Sequence, residues 1–306
     1  MGGVLIGFGI IAFVIVVGYV AGRLGIGGAS APYVLNRIAF YVTNPALLFT
    51  VLSTADLRVV FSAHVAVAAI GALGAAAIYV ATSRIFFRRP VAETTIGALG
   101  AGYVNANNIG LPVAVYVLGS ASFVAPVLLL QLIVFAPIAL TVLDVTSRGA
   151  VSLRAILTGP VRNPMIIASL AGLALDISGV RPPEAVLQPF ALLGGAAVPL
   201  VLMAFGMSLR GSRPLRAGHG RAEIIVASLL KAVGMPVICY LAGRFGFGLG
   251  GHDLFAVVAL GALPAAQNVY NFASTYARGE AVARDVVLFT TVLAIPVLIV
   301  IASLLA

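Results

Sequence analysis

The chain has 306 residues, of which 61% are hydrophobic and only 9% are charged, and this composition excludes an ordinary water-soluble globule. The sequence therefore predicts a polytopic membrane protein. A net charge of +9 would suit a nucleic-acid partner, but most basic residues lie in loops or near the ends of apolar segments, so we interpret the charge as a signal of membrane topology.

Ten apolar segments of near membrane-spanning length, numbered 1 to 10, follow one another along the chain. They cover about 4–22, 33–52, 62–83, 93–118, 122–144, 155–175, 185–208, 222–243, 254–277 and 284–305. With loops on alternating sides, fifteen of the 18 basic residues share one side, leaving Arg58, Arg181 and Arg244 on the other. The positive-inside rule predicts a multi-pass inner-membrane protein with both termini outside, and segment 1 as a retained helix rather than a signal peptide.

Segments 1 to 3 indicate packing rather than chemistry, with one exception. Segments 1 and 3 are apolar and contain several glycines, which favours close approach between helices in lipid. Segment 2 contains Thr43-Asn44-Pro45, which places an amide and a kink near the middle of the membrane. Asn44 either faces a binding site or belongs to a packing kink, and its position in the sequence favours neither.

Segment 4 contains the stretch GAGYVNANNIGLPVAVYVLG, with Asn105, Asn107 and Asn108 just before Gly110 and Pro112. Asparagine favours caps over helix interiors, glycine weakens a helix, and proline suits the first turn of a restarted helix. We therefore expect a helix that breaks midway. Broken backbone at this depth is tolerated only when it is buried in protein or lines a water-filled cavity, so the break predicts a binding site.

Segment 9 carries a second break, in ALGALPAAQNVYNFASTYA, where Gly261 and Pro264 precede Gln267, Asn268 and Asn271. Aligning the two ALG triplets, at 98–100 and 259–261, brings Asn107 opposite Asn268 at a spacing close to half the chain. Five segments in each half (1–150 and 151–306) make the repeat inverted, and paired interrupted segments indicate a midplane transporter site. The alternative is two kinked helices whose amides bond only to neighbours.

Charged residues near the membrane allow two interpretations each. Lys231 lies one to two turns inside the cytoplasmic end of segment 8, where we expect it to snorkel to the interface; the alternative is that it balances substrate charge. The basic stretch Arg210–Arg221 is expected to be a topology anchor, with binding of anionic lipid as the alternative.

The chemistry available at the midplane is that of uncharged amides. All nine acidic residues fall at or near segment ends, which argues against a carboxylate-driven cation pump, although carbonyls and amides can still bind sodium. Amide donors and helix N-termini favour a reversible site for an organic anion. One cysteine and three scattered histidines offer no metal or redox site, and no nucleophile or base is placed for an enzyme, so no cofactor is expected.

Four motifs occur in the chain, namely NPALLF, NANNIGLP, RNP and ALPAAQNVYNFA. Together they resemble the auxin efflux carrier family, which includes plant PIN-type carriers and bacterial permeases associated with malate and malonate. The resemblance implies an all-α membrane protein of ten transmembrane helices in two inverted five-helix repeats. As in sodium/proton antiporters and bile-acid symporters, broken helices 4 and 9 would cross. Helices 1, 2, 6 and 7 would form a scaffold domain, helices 3–5 and 8–10 a moving transport domain, and two copies a homodimer.

The same resemblance implies roles for particular residues. Asn105 matches the asparagine that contacts the substrate carboxylate, Gln131 matches a glutamine of helix 5, and Asn163 matches the asparagine of the helix 6 motif. Val269 stands where the plant proteins have a proline, and their long cytoplasmic loop is missing, so the pocket is expected to differ from an auxin site.

The expected function is secondary transport of a small organic carboxylate by elevator-type alternating access. Its substrate would be an auxin-like monocarboxylate or a malate-like or malonate-like dicarboxylate. We also expect the protein to contact membrane lipid, and we expect no nucleic-acid partner. The nearest alternative is a sodium-coupled organic anion symporter of the bile-acid type. A structural or sensory membrane protein would carry no solute.

Overall fold

The computed structural model describes residues 2–53, 63–148, 164–209 and 220–306, and these residues are largely helical. The helices are α1 (Gly2–Arg23), α2 (Ala31–Leu52), α3 (Ala63–Phe87), α4 (Val91–Gly102), α5 (Leu111–Tyr116), α6 (Ala125–Leu130), α7 (Ala136–Arg148), α8 (Pro164–Ser178), α9 (Glu184–Gly195), α10 (Ala197–Ser208), α11 (Arg221–Gly246), α12 (Gly251–Gly261), α13 (Gln267–Tyr276) and α14 (Glu280–Leu305). Within these described ranges, five helical stretches are long and apolar enough to cross a membrane, namely α2, α3, 184–207, α11 and α14. The prediction of an all-helical membrane protein is confirmed.

Segments 4 and 9 are both interrupted, as their sequences predict. Helix α4 ends at Gly102 and α12 ends at Gly261, and extended backbone follows each of them. The break in segment 4 comes earlier than expected, because the helix resumes at Ala106 with the side chain of Asn105 as its cap. Gly110 therefore lies inside the restarted helix, and Pro112 lies in the first turn of α5.

Wide π-helical turns recur at fixed distances before prolines. A proline has no N–H to donate to the helix. In each of these turns, the backbone N–H of the residue one or two positions before the proline donates to the carbonyl oxygen five residues earlier. The hydrogen-bond pattern of the helix is therefore shifted next to the position where the proline lacks a donor. The pairs are Ala39–Thr43 with Pro45, Ala106–Gly110 with Pro112, Gln131–Phe135 with Pro137, and Leu230–Gly234 with Pro236. Each turn contains or adjoins a polar side chain, so these local widenings place Asn44, Asn107, Asn108, Gln131 and Lys231.

Glycines allow α1, α2, α8, α9 and α10 to pack backbone against backbone. A Cβ on Gly206 of α10 would collide with the carbonyl of Ile15 in α1, and one on Gly172 of α8 would lie 2.6 Å from the carbonyl oxygen of Phe49 in α2. A Cβ on Gly194 of α9 would lie 2.9 Å from Leu47. Segment 1 also packs through a glycine of its own, as its sequence predicts, because a Cβ on Gly18 would collide with the backbone of Met203 in α10. Segments 1, 2, 6 and 7 together form one group of closely packed helices.

A second group of helices is joined in the same way. A Cβ on Gly102 of α4 would lie 2.5 Å from the carbonyl oxygen of Ala72 in α3, and one on Gly261 of α12 would lie 2.7 Å from the sulfur of Cys239 in α11. A Cβ on Gly279 would lie 3.3 Å from Ile96, which joins the start of α14 to α4. In the described residues, every close approach at a glycine stays within one of the two groups.

Candidate functional site

The two extended breaks lie side by side. Val104 and Ala265 form an antiparallel bridge, the N–H of Asn105 donates to the carbonyl oxygen of Pro264 at 2.8 Å, and the N–H of Ala266 donates to that of Tyr103 at 3.0 Å. Backbone groups of one break therefore satisfy those of the other, which is what unwound chain needs inside a membrane.

Two side chains from other helices complete this bonding. Gln131 donates from Nε2 to the carbonyl oxygen of Val104 at 3.1 Å, and Thr290 of α14 accepts the N–H of Ala265 at its Oγ1 at 3.0 Å. Gln131 thus holds the break itself, in addition to lining the site next to it. Thr290 was not predicted from the sequence; its only signal is the hydroxyl pair Thr290-Thr291 within the otherwise apolar stretch 286–302.

A cleft of about 440 Å³, including the part that opens to solvent, lies where the breaks meet. It is lined by Phe40, Tyr103, Val104, Asn105, Ala106, Asn107, Asn108, Leu128, Gln131, Leu132, Met165, Ala266, Gln267 and Asn268. Six of the nine predicted binding residues are among them, and none of these described lining residues is charged. Phe40 and Met165 come from the group of segments 1, 2, 6 and 7, so the cleft lies between the two groups.

Asn105 presents a donor to this cleft. Its Oδ1 accepts the backbone N–H of Asn108 at 3.0 Å, which caps the restarted helix. A backbone N–H can only donate, so this bond fixes which end of the amide is the oxygen. The Nδ2 group of Asn105 has no hydrogen-bond partner among the described residues and is left to donate to a ligand.

The other amides of segment 4 are oriented in a relay. Asn44 donates from Nδ2 to Oδ1 of Asn107 at 2.7 Å, and Asn107 donates from Nδ2 to Oδ1 of Asn108 at 2.8 Å. The side-chain oxygens of Asn107 and Asn108 are therefore both occupied, whereas Nδ2 of Asn108 has no partner in the described part of the chain. The relay leaves N–H groups rather than oxygens for a ligand, and this favours an anion.

Asn44 is fully buried in α2 and does not line the cleft, yet its bond to Asn107 joins the two groups of helices. Asn44 directly follows the π turn Ala39–Thr43, and its side-chain bond goes to a residue that lines the cleft. Its Oδ1 and the hydroxyl of the neighbouring Thr43 are buried without a partner among the described residues.

The amides of segment 9 lie at the start of α13. Gln267 and Asn268 are exposed residues of its first turn, and they line the cleft together with Tyr103. Asn271 lies one turn further along and does not line the cleft.

Asn163 lies outside the described residues. Tyr103 was missed by the sequence analysis, although its place directly before the amide cluster was a usable signal.

Lys231 does not snorkel, so that prediction is wrong. Its side chain is fully buried, and Nζ donates to the carbonyl oxygen of Gly261 at 2.7 Å. Lys231 lies in the π turn Leu230–Gly234 of α11, and its side chain reaches Gly261 at the end of α12. Hydropathy does not reveal a tertiary contact of this kind. The prediction of a topology anchor at Arg210–Arg221 falls mostly outside the described residues, because these omit positions 210 to 219.

Comparisons with known proteins agree with this architecture. A family model described as "Membrane transport protein" matches residues 8–302. A protein of Rhizobium meliloti (strain 1021), provisionally named a malonate transporter, is 32% identical over 136 residues, which are 44% of this chain and 41% of that relative. These findings indicate a transporter rather than an enzyme. Because the family model matches nearly the whole chain, this protein belongs to the membrane transport protein family, the auxin efflux carrier family.

Proposed function

We propose that this protein is a secondary transporter that carries a small organic carboxylate across the inner membrane. The observation that carries the proposal is the orientation of Asn105, whose oxygen is occupied by the N–H of Asn108 and whose Nδ2 is left as a donor at the cleft. A carboxylate is the natural acceptor for such a group, because hydrogen bonds to a charged partner are the stronger ones.

The absence of charge from the described lining makes binding reversible. A buried arginine or lysine would pair with a carboxylate too firmly for rapid release, whereas neutral amides supply donors without a permanent charge. The N-terminus of α13 adds the partial positive charge of a helix end at Gln267 and Asn268. A binding site in a transporter has to release its ligand on the other side, and this lining suits that need.

Malonate-like dicarboxylates are the first candidate substrates. The relative provisionally named a malonate transporter supports this choice, and amides from both breaks can donate to two separate carboxylates. An auxin-like monocarboxylate is the second candidate, because Phe40, Leu128, Leu132 and Met165 give the cleft apolar surface as well.

The proposed mechanism is elevator-type alternating access in a fold of ten transmembrane helices arranged as two inverted repeats, 1–150 and 151–306. Segments 1, 2, 6 and 7 form the scaffold domain, and segments 3–5 and 8–10 form the transport domain. Confinement of the close glycine approaches to these two groups supports the division. Both termini lie outside, and two copies form a homodimer.

The test is uptake of labelled malonate into proteoliposomes that contain the purified protein. We expect uptake that unlabelled malonate inhibits and that malonamide, its neutral diamide, does not. Parallel runs with sodium, with choline in its place and with a pH gradient identify the coupling ion, and a strict need for sodium would favour the bile-acid type of symporter. Absence of uptake for malonate, malate and a panel of monocarboxylates would refute the proposal.

A further inference from the structure

Lys231 is the single lysine of the chain, and it is fully buried in the middle third of α11. An ionisable side chain inside a membrane protein is costly, because the charged form loses its hydration. Residues of this kind pair with one another or with backbone carbonyls, and they mark ion or substrate pathways. Lys231 does not line the amide cleft, so binding of an anion in the cleft does not explain why a lysine is buried at this position.

The partners of Lys231 are uncharged. Nζ donates to the carbonyl oxygen of Gly261 at 2.7 Å and contacts Sδ of Met235 at 3.2 Å, and no carboxylate of the described residues forms an ion pair with it. Gly261 is the last residue of α12, directly before the second break. Nζ therefore binds the carbonyl end of a half-helix, where the helix dipole concentrates negative partial charge.

Carbonyl ends of this kind attract cations. In transporters with broken helices, unwound carbonyls and the C-terminal ends of half-helices coordinate sodium or protons. An ammonium that donates to the carbonyl of Gly261 supplies the same charge at the same kind of position, on a tether that cannot dissociate. The space is closely packed, since a Cβ on Gly261 would lie 2.7 Å from the sulfur of Cys239.

We propose that Lys231 is a built-in cation: its ammonium occupies the carbonyl end of α12, where a coupling cation would otherwise bind, and so makes the break independent of sodium. The presence of this cation site in the fold does not depend on the identity of the substrate. Only the corollary rests on the proposed function, namely that malonate binds equally well in sodium and in choline.

The experiment measures thermal unfolding of the purified full-length protein in detergent, without any organic anion. Midpoints are compared in sodium chloride, choline chloride and methylammonium chloride at equal ionic strength, for the wild type, Lys231→Ala and Lys231→Met. Lys231→Ala removes the ammonium and leaves space beside Gly261, whereas Lys231→Met removes the charge but fills most of that space.

We expect the wild-type midpoint to be the same in all three salts. Lys231→Ala should unfold at a lower temperature in choline and recover, with a saturable dependence on concentration, in methylammonium or sodium. Lys231→Met should be destabilised without recovery. Stabilisation of the wild type by sodium over choline would overturn the proposal even if neither variant folds, and so would a Lys231→Ala protein that responds to no small cation. Failure of malonate to bind would count against the proposed function alone.

Discussion

Asn105 combines two roles in one side chain. Its oxygen caps the helix that restarts at Ala106, and its nitrogen is left at the cleft, with only 6% of the residue exposed. A truncation to alanine removes the cap and the donor together, so it cannot separate folding from binding. Aspartate keeps an oxygen for the N–H of Asn108 and replaces only the donor.

Asn105→Asp should therefore strongly weaken anion binding while the fold persists. Loss of a hydrogen bond to a charge costs about 1.5–3 kcal/mol, and repulsion by the new carboxylate adds to it, so malonate affinity at pH 8 should fall by at least about a hundredfold. Binding can be measured by calorimetry, and folding by the thermal midpoint. Asn271→Asp is the control, since it makes the same substitution on α13, at a position that does not line the cleft. Equal malonate affinity in wild type and Asn105→Asp would remove Asn105 from the site.

At this scale the sequence predicted residue types better than it predicted partners. Six of the nine proposed binding residues line one cleft, because amides close to a helix break have few other uses inside a membrane. The partner of Lys231 is thirty positions away in sequence, and that of Thr290 is twenty-five positions away. Local pattern carries no information about such contacts, and for this reason the burial of Lys231 and the role of Thr290 were not foreseen.

The individual helices show how proline and glycine shape the fold. Pro112 was expected to mark a break and Pro45 a kink, but both follow wide turns in helices that continue, as do Pro137 and Pro236. The true breaks occur where the backbone finds partners across the structure, as Asn105 does at Pro264. Sequence could therefore predict that segments 4 and 9 are interrupted, but it misplaced the interruption in segment 4 by several residues.

Two glycines of α1 make a matched test of helix packing. A Cβ on Gly18 would collide with the backbone of Met203 in α10, whereas a Cβ on Gly9 would meet nothing within 4 Å. Gly18→Ala should lower the free energy of unfolding by about 1–3 kcal/mol, because α1 and α10 have to separate. Gly9→Ala should be neutral or slightly stabilising, because alanine is the better helix former. Thermal midpoints of the two variants in detergent measure the difference, and equal midpoints would contradict the proposed close packing of these two helices.

At the scale of the whole molecule, the described helices that approach one another closely at glycines fall into two groups, and residues of both groups line the cleft. Within each group, backbones touch at glycines, whereas the hydrogen bond from Asn44 to Asn107 joins one group to the other. An elevator movement has to break this bond in every cycle. The paired ALG triplets led to the prediction of the inverted repeat that motivates the proposed movement, whereas which helices pack together was implied only by the family resemblance.

Uptake of labelled malonate before and after a short bridge is formed between positions 44 and 107 tests the central claim most directly. Asn44→Cys and Asn107→Cys, in a Cys239→Ala background, can be linked by mercuric ion and released by excess thiol. The bridge should stop uptake, and thiol should restore it, because the bridged groups cannot move past each other. The control pair, Ser83→Cys with Thr94→Cys, lies within one group, where the two hydroxyls are 2.9 Å apart, and its bridge should leave uptake intact. Undiminished uptake with the bridge between 44 and 107 in place would contradict the account.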